Sequence, residues 1–350
     1  MDLTRVDELI HPLDEQAGAR AVAHWNAVAK PIGSLGVLED DIVRIASITG
    51  TEQVRIDRRA VLAMCADNGV VAEGVTQTGQ EVTALIARNM ALDCSSVCAM
   101  AKVAGADVIP VDVGIAREVE GVVQRNVMRG THDMAKGPAM SRAQAEQAVC
   151  VGIEMVRALK QRGYDVVVTG EMGIGNTTTS SAIVSVLLGV DPAEVTGRGA
   201  GLSDEGLARK LAAIRRAIEV NKPDPADALD VLSKVGGLDI AGMAGTFVGC
   251  AIERVPVLVD GFVSLAAALV ATRIAPSCAP FMLATHCSAE PATQLVLDAM
   301  GLEPPIHAGM RLGEGTGAVC LLPLLDMALA LYNGTTFATT GMDAYEPEPS

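Results

Sequence analysis

The chain has 350 residues and a net charge of −15, from 27 Lys and Arg against 42 Asp and Glu. That length allows one large domain or two modest ones, and that charge excludes attachment to nucleic acid or an anionic membrane through bulk positive charge. Half of the residues are hydrophobic, yet the aromatics are only four Phe, three Tyr and one Trp, which excludes a stacking platform for single strands.

Residues 1–30 read as helix without a strand partner, and the opening MDLTRVDELIHPLDEQ has no apolar centre of the kind a secretory signal carries. Glu39-Asp40-Asp41 reads as a solvated first helical turn. Ala60–Cys65 is the first of several short, near-continuous apolar runs, followed by Val108–Val113, Asp165–Thr169, Val255–Val259 and Phe281–Thr285. Such runs mark strands covered on both faces. Helical patterns lie between them: Thr83–Ala104; Ser141–Arg162, with Ser141 and Gln144 at capping-box spacing and Gly163 as the stop; Ser203–Asn221, basic on one face; and one opened by Asp224-Pro225. Residues 318–333 read as an apolar helix and Glu346–Ser350 as a solvated tail. The predicted fold class is α/β: a mainly parallel sheet covered by helices on both faces, Rossmann-like, over residues 30–325. Residues 1–29 plus 326–350 are expected to form a small helical domain and tail.

The longest apolar stretch, Val255 to Thr272, is broken by Asp260, so no membrane span is expected. The eight cysteines are scattered and form no C-x-x-C pair; they read as buried, reduced thiols in a cytoplasmic protein rather than as a zinc or redox centre.

Ligands of open α/β sheets bind beyond the carboxyl ends of the strands. Each predicted strand here runs into a polar or glycine-rich segment at that end: Asp67-Asn68-Gly69, Gly114, Gly170–Thr178, Asp260-Gly261-Phe262 and His286–Glu290. Any one of these is read as a turn; together they form the rim of a pocket. Gly170-Glu171-Met172-Gly173-Ile174-Gly175-Asn176-Thr177-Thr178 is the most informative, because close-approaching glycines precede the start of a helix, whose free N–H groups bind anions. Its spacing is neither the dinucleotide fingerprint nor the P-loop, and Glu171 has no acidic neighbour of the kind that serves a metal-bound pyrophosphate. Arg311-Leu312-Gly313-Glu314-Gly315-Thr316-Gly317 sets a carboxylate between glycines; in an apolar pocket it suits a general base, and near a helix start it is equally a dipole partner. His286 precedes Ser288, but without a G-x-S-x-G elbow the pair does not read as a nucleophile and its base; His11, His24, His132 and His307 read as ordinary histidines.

These motifs, taken with Lys30–Gly36, Met64–Val70, Gly137–Arg142 and Leu232–Gly237, resemble those of the nicotinate-nucleotide–dimethylbenzimidazole phosphoribosyltransferases, the CobT family, in order from about residue 30 to 325. The resemblance implies transfer of phosphoribose from nicotinate mononucleotide to a base that becomes the lower ligand of a cobamide, with nicotinate leaving and an α-ribotide forming. It assigns Glu314 as the catalytic base and Glu171 as a second catalytic glutamate. It places Lys210 and Ser288 at the phosphate, with Gly173, Gly175 and Asn176 nearby, and Asp260 at the ribose. Asp67, Gly313, Gly315 and Thr316 complete the expected substrate contacts, with Thr78 and Ile86 at the acceptor base. The pyridinium nitrogen of the donor is already cationic, so the leaving group needs no acid, and neither metal nor cofactor is expected.

Departures concern the acceptor. Asn68 stands where many members have His, Ile86 where benzimidazole users carry Gln, and Pro291 where some have Lys. An apolar Ile86, together with Asn68, motivates a second acceptor class, phenol or p-cresol, which some relatives activate as O-glycosides in paired homologous subunits. The expected assembly is a homodimer, or a heterodimer with such a subunit. Two further readings are a non-catalytic, ligand-binding partner subunit, against which Glu314 speaks, and a nicotinamide-dinucleotide oxidoreductase, against which the glycine spacing speaks.

Overall fold

The computed structural model describes residues 1–345; the tail Glu346–Ser350 lies outside them. The centre is a six-stranded sheet in the order β3-β2-β1-β4-β5-β6, and every pairing is parallel. The strands are β1 Arg59–Ala66, β2 Ala106–Gly114, β3 Val123–Gln124, β4 Val166–Met172, β5 Val257–Val259 and β6 Met282–Ala284. β1 is buried along its whole length, as a near-continuous apolar run between two helical layers must be. The chain winds outward in one direction from β1 to β3 and in the other from β4 to β6, so the switch point lies between β1 and β4, where doubly wound sheets open a crevice.

Ser141 caps helix Arg142–Gln161 through the expected capping box. Three expectations are corrected. The stretch Thr83–Ala104 is two helices, Glu81–Ala91 and Ser96–Ala104, because Asp93 takes a left-handed φ of 57° and Ser95 caps a fresh start through Cys98 N–H. The helix expected from Asp224-Pro225 begins at Ala228, capped by Asp227, whose carboxylate accepts from Leu229 and Asp230. Glu39 and Asp41 are buried rather than solvated: Glu39 pairs with Lys30 at 2.7 Å, and burial pushes the Asp41 carboxyl up to about 7.

The scarcity of rings is made good by close helix packing. Helix Arg142–Gln161 lies against helix Leu238–Ile252 backbone to backbone, since a Cβ at Gly152 or Gly245 would collide with carbonyls of the facing helix. Dispersion gained at that distance substitutes for large side chains. The chain ends meet: Ala29 N–H donates to Thr335 C=O at 2.9 Å, and the Trp25 and Tyr332 rings meet edge to face. No helix among the described residues is long and apolar enough to cross a membrane.

Candidate active site

A cavity of about 190 Å³ opens at the carboxyl ends of β4, β5 and β6. Three helices begin at it: Asn176–Leu188, Phe262–Ile274 and Thr316–Tyr332. Their N-caps are Gly175, Gly261 and Gly315, and none receives a side-chain cap. Each helix therefore points its positive dipole end toward the cavity, although some first-turn N–H groups are already taken: Asn176 and Thr178 donate to Gly173 and Gly175 C=O, and Thr316 and Ala318 to Gly313 C=O and Asp260 Oδ1. Helix starts of this kind suit an anion, even in a chain that carries a large negative charge overall.

Gly170 and Gly315 set the geometry. A Cβ on Gly170 would stand 2.7 Å from Glu314 C=O, and one on Gly315 would stand 3.1 Å from Thr169 C=O. With glycine at both positions the 313–317 loop lies directly on the end of β4, and Glu314 N–H comes within 3.5 Å of Glu171 Oε1. Glu314 itself has a φ of 62°, a conformation costly for a residue with a side chain. Its Oε2 accepts from Val97 N–H at 3.1 Å, in the first turn of helix Ser96–Ala104. The carboxylate is thus turned to that helix end and is not among the groups lining the cavity, although Gly313 and Thr316 on either side are.

Glu171 lines the cavity wall. Burial pushes its carboxyl up to about 8, helped by the negative charge of Asp239, while a hydrogen bond from Asn176 acts the other way. Asp260, beyond β5, accepts from Ala318 N–H at 3.0 Å and faces the His286 ring at 3.9 Å. Ser288 stands on the same wall and its hydroxyl accepts from Glu290 N–H at 3.2 Å. Lys210 is wholly buried; its Nζ donates to Thr177 Oγ1 at 2.8 Å and to Gly197 C=O at 3.0 Å. Thr177 lines the cavity, so the ammonium stands one hydroxyl behind the wall. Burial pulls Lys210 down to about 8, against the favourable charge of Glu290.

The structure gathers Glu171, Gly173, Gly175, Asn176, Asp260, Ser288, Gly313, Thr316 and Thr78 around one cavity. It does not bring Asp67 or Ile86 to the wall. Asp67 Oδ2 accepts from Ala116 N–H at 2.8 Å and braces the turn after β2. Ile86 is half-buried on helix Glu81–Ala91 and packs on the core. Sequence reasoning set aside His286, which is buried and lines the cavity with its ring flat against Gly317. It also missed Asp239 behind Glu171, and Arg198 and Arg311 on the wall. The available signal for Asp239 was a lone carboxylate opening an otherwise apolar helix. Among the described residues no group of three or more His, Cys, Asp or Glu side chains is set to hold a metal ion.

Fold and site together define a doubly wound α/β protein with a cavity at the strand ends, walled by helix starts and by carboxylates. A family model described as a phosphoribosyltransferase matches residues 10–342, and the chain belongs to that family. It is 48% identical over 332 residues to the nicotinate-nucleotide–dimethylbenzimidazole phosphoribosyltransferase of Desulforudis audaxviator, covering 94% of both chains. It is 46% identical to the protein of the same name from Acetivibrio thermocellus, covering 92% of this chain and 93% of that one. The crystal structure of CobT from Thermus thermophilus superposes with a TM-score of 0.89 at 36% identity, over 94% of this chain and 99% of that one.

Proposed function

We propose that this chain moves phosphoribose from nicotinate mononucleotide to 5,6-dimethylbenzimidazole, releasing nicotinate and forming the α-ribotide used in cobamide assembly. The observation that carries the reading is the pairing of uncapped helix starts, suited to phosphate, with the Glu171 and Glu314 loops at the same strand ends. The names and coverage of the relatives support it.

The chemistry follows from the charges. The bond between the sugar C1′ and the pyridinium nitrogen breaks with its electron pair going to nitrogen, so a cation becomes neutral nicotinate ring nitrogen. One imidazole nitrogen of the acceptor supplies the new bond to C1′, and the other must lose its proton. In our reading Glu314 takes that proton as general base, leaving the helix end it rests on. Glu171 and Asp260 face the positive charge that develops on the sugar. Lys210, through Thr177, and Ser288 hold the phosphate with the first-turn N–H groups of helix Asn176–Leu188. Thr78 borders the acceptor.

Of the two residues that motivate a phenolic acceptor, Ile86 does not line the cavity wall and Asn68 is buried with its amide on Ile174 C=O, so the benzimidazole reading, which the relatives' names support, comes first. We further propose that the protein works in the cytoplasm as a homodimer, and that the two chain ends form a small helical domain. The test of function is product analysis, by chromatography and mass, after incubating the pure protein with nicotinate mononucleotide and either dimethylbenzimidazole or phenol. A benzimidazole ribotide is expected; a phenolic glycoside alone, or no product, overturns the reading. Light scattering during gel filtration reads the assembly, and a monomer mass refutes the dimer.

A further inference from the structure

One buried carboxylate has no part in the chemistry above. Asp239 opens helix Leu238–Ile252, whose next residues are Ile240, Ala241 and Gly242, and it is wholly buried. The helix dipole favours a carboxylate in this first turn by about 0.3–1 kcal/mol, less than its burial costs. Asp239 Oδ2 accepts from Asn176 Nδ2 at 3.1 Å, and the same Nδ2 donates to Glu171 Oε2. An amide NH₂ has two protons, so a single side chain ties both carboxyl groups together. Two glycines keep the space open for this arrangement. A Cβ on Gly173 would collide with Asp239 Oδ2, and one on Gly237 would stand 2.5 Å from Asp239 Oδ1. Asp239 Oδ1 makes no well-formed hydrogen bond and has the Asn68 amide beside it.

We propose that Asp239 is a positioning residue for the transfer: acting through Asn176, it fixes the Glu171 carboxyl at the cavity wall and shares one proton with it, so that the pair faces the sugar with a single negative charge. This rests on phosphoribosyl transfer as the reaction. Two carboxylates joined by one donor in a buried site do not both ionise near neutrality. Burial raises Asp239 to about 6 and, with the charge of Asp239, Glu171 to about 8. The other groups facing the pair are Asp260 beyond β5, Glu314 on the overlying loop, the Cys65 thiol on β1 and the Asn68 amide beyond that strand. None of them is joined to the pair by Asn176.

The test is D239N, which keeps the shape and an acceptor for Asn176 but removes the charge. With the like-charged neighbour gone, Glu171 ionises at lower pH. The expected result is an ionisation of Glu171 in the kcat profile moved down by about one pH unit, so that kcat falls below the parent by up to about tenfold on that limb, with a KM for nicotinate mononucleotide within about twofold of the parent. Because Asp239 acts through Glu171, adding D239N to E171Q is expected to cost less than about twofold more. A readout independent of turnover, and of whether D239N folds, is the infrared carbonyl band of a protonated carboxylic acid in the parent protein at pH 7. Buried Asp41 contributes a band of the same kind, so the pair is read from the parent-minus-E171Q difference spectrum, in which one protonated carboxyl is expected. A difference spectrum without that band, an unshifted D239N profile, or losses that multiply in full in the double variant overturns the proposal. If the parent transfers no phosphoribose at all, the functional reading fails, while the infrared band still reports on the shared proton.

Discussion

Lys210 offers the sharpest pH experiment in the molecule. Its ammonium is wholly buried and meets only Thr177 Oγ1 and Gly197 C=O, and burial holds it at about 8. A lysine at 8 is about nine-tenths charged at pH 7 and about one-tenth charged at pH 9, whereas an ordinary lysine stays charged throughout. If the charged form serves the phosphate, kcat/KM for nicotinate mononucleotide, which reports the free enzyme, falls about tenfold between pH 7 and pH 9. K210M removes a charge-assisted hydrogen bond, of about 1.5–3 kcal/mol, so kcat/KM at pH 7 drops about 10- to 100-fold. The variant also loses the Lys210 limb of the profile. Glu171 titrates in the same range, so the profile is measured in E171Q as well, where the lysine limb must persist. Steady-state rates from pH 6 to 9.5, followed by nicotinate release, give both quantities. A parent profile flat to pH 9, or a K210M profile that keeps the E171Q limb, refutes the phosphate role.

E314Q is expected to lower kcat by about 10² to 10⁴ while nicotinate mononucleotide still binds in calorimetry; parent-like turnover removes Glu314 as the base. Asp41 is raised to about 7 by burial, so the folded protein holds a proton that the unfolded chain releases near pH 4. That contribution is complete below about pH 4 and is lost as pH rises through 7, so D41N should raise Tm more at pH 8 than at pH 5; an equal shift at both would contradict this. G152A pushes a methyl into the backbone of helix Leu238–Ile252 and is expected to cost about 1–3 kcal/mol in denaturant unfolding, with an unchanged midpoint as the contrary result.

The sheet was legible because strands covered on both faces must be apolar at every position, as β1 is. β3 was not, since its two residues pair only with Val111 and Asp112 and show no pattern of their own. The break at Asp93 was written in the residues, as a Ser at a helix start, but the apolar positions on both sides share one period and hid it. Strand-end positions such as Glu171 and Asp260 could be read in the chain, because a parallel sheet sends every carboxyl end to one edge. Relations between distant segments could not. That Glu314 rests on Val97, or that Asn176 links Glu171 to Asp239, follows from packing across more than 60 residues of chain.

The glycine-started helices have a consequence for stability. Each points the positive end of its dipole at the cavity, and an anion bound there meets whichever first-turn N–H groups the protein leaves unpaired. Such an anion stabilises the whole chain by mass action. Substrate therefore behaves as a late component of folding. Inside a cell, the pool of nicotinate mononucleotide would help to set how long each molecule survives as well as how fast it works.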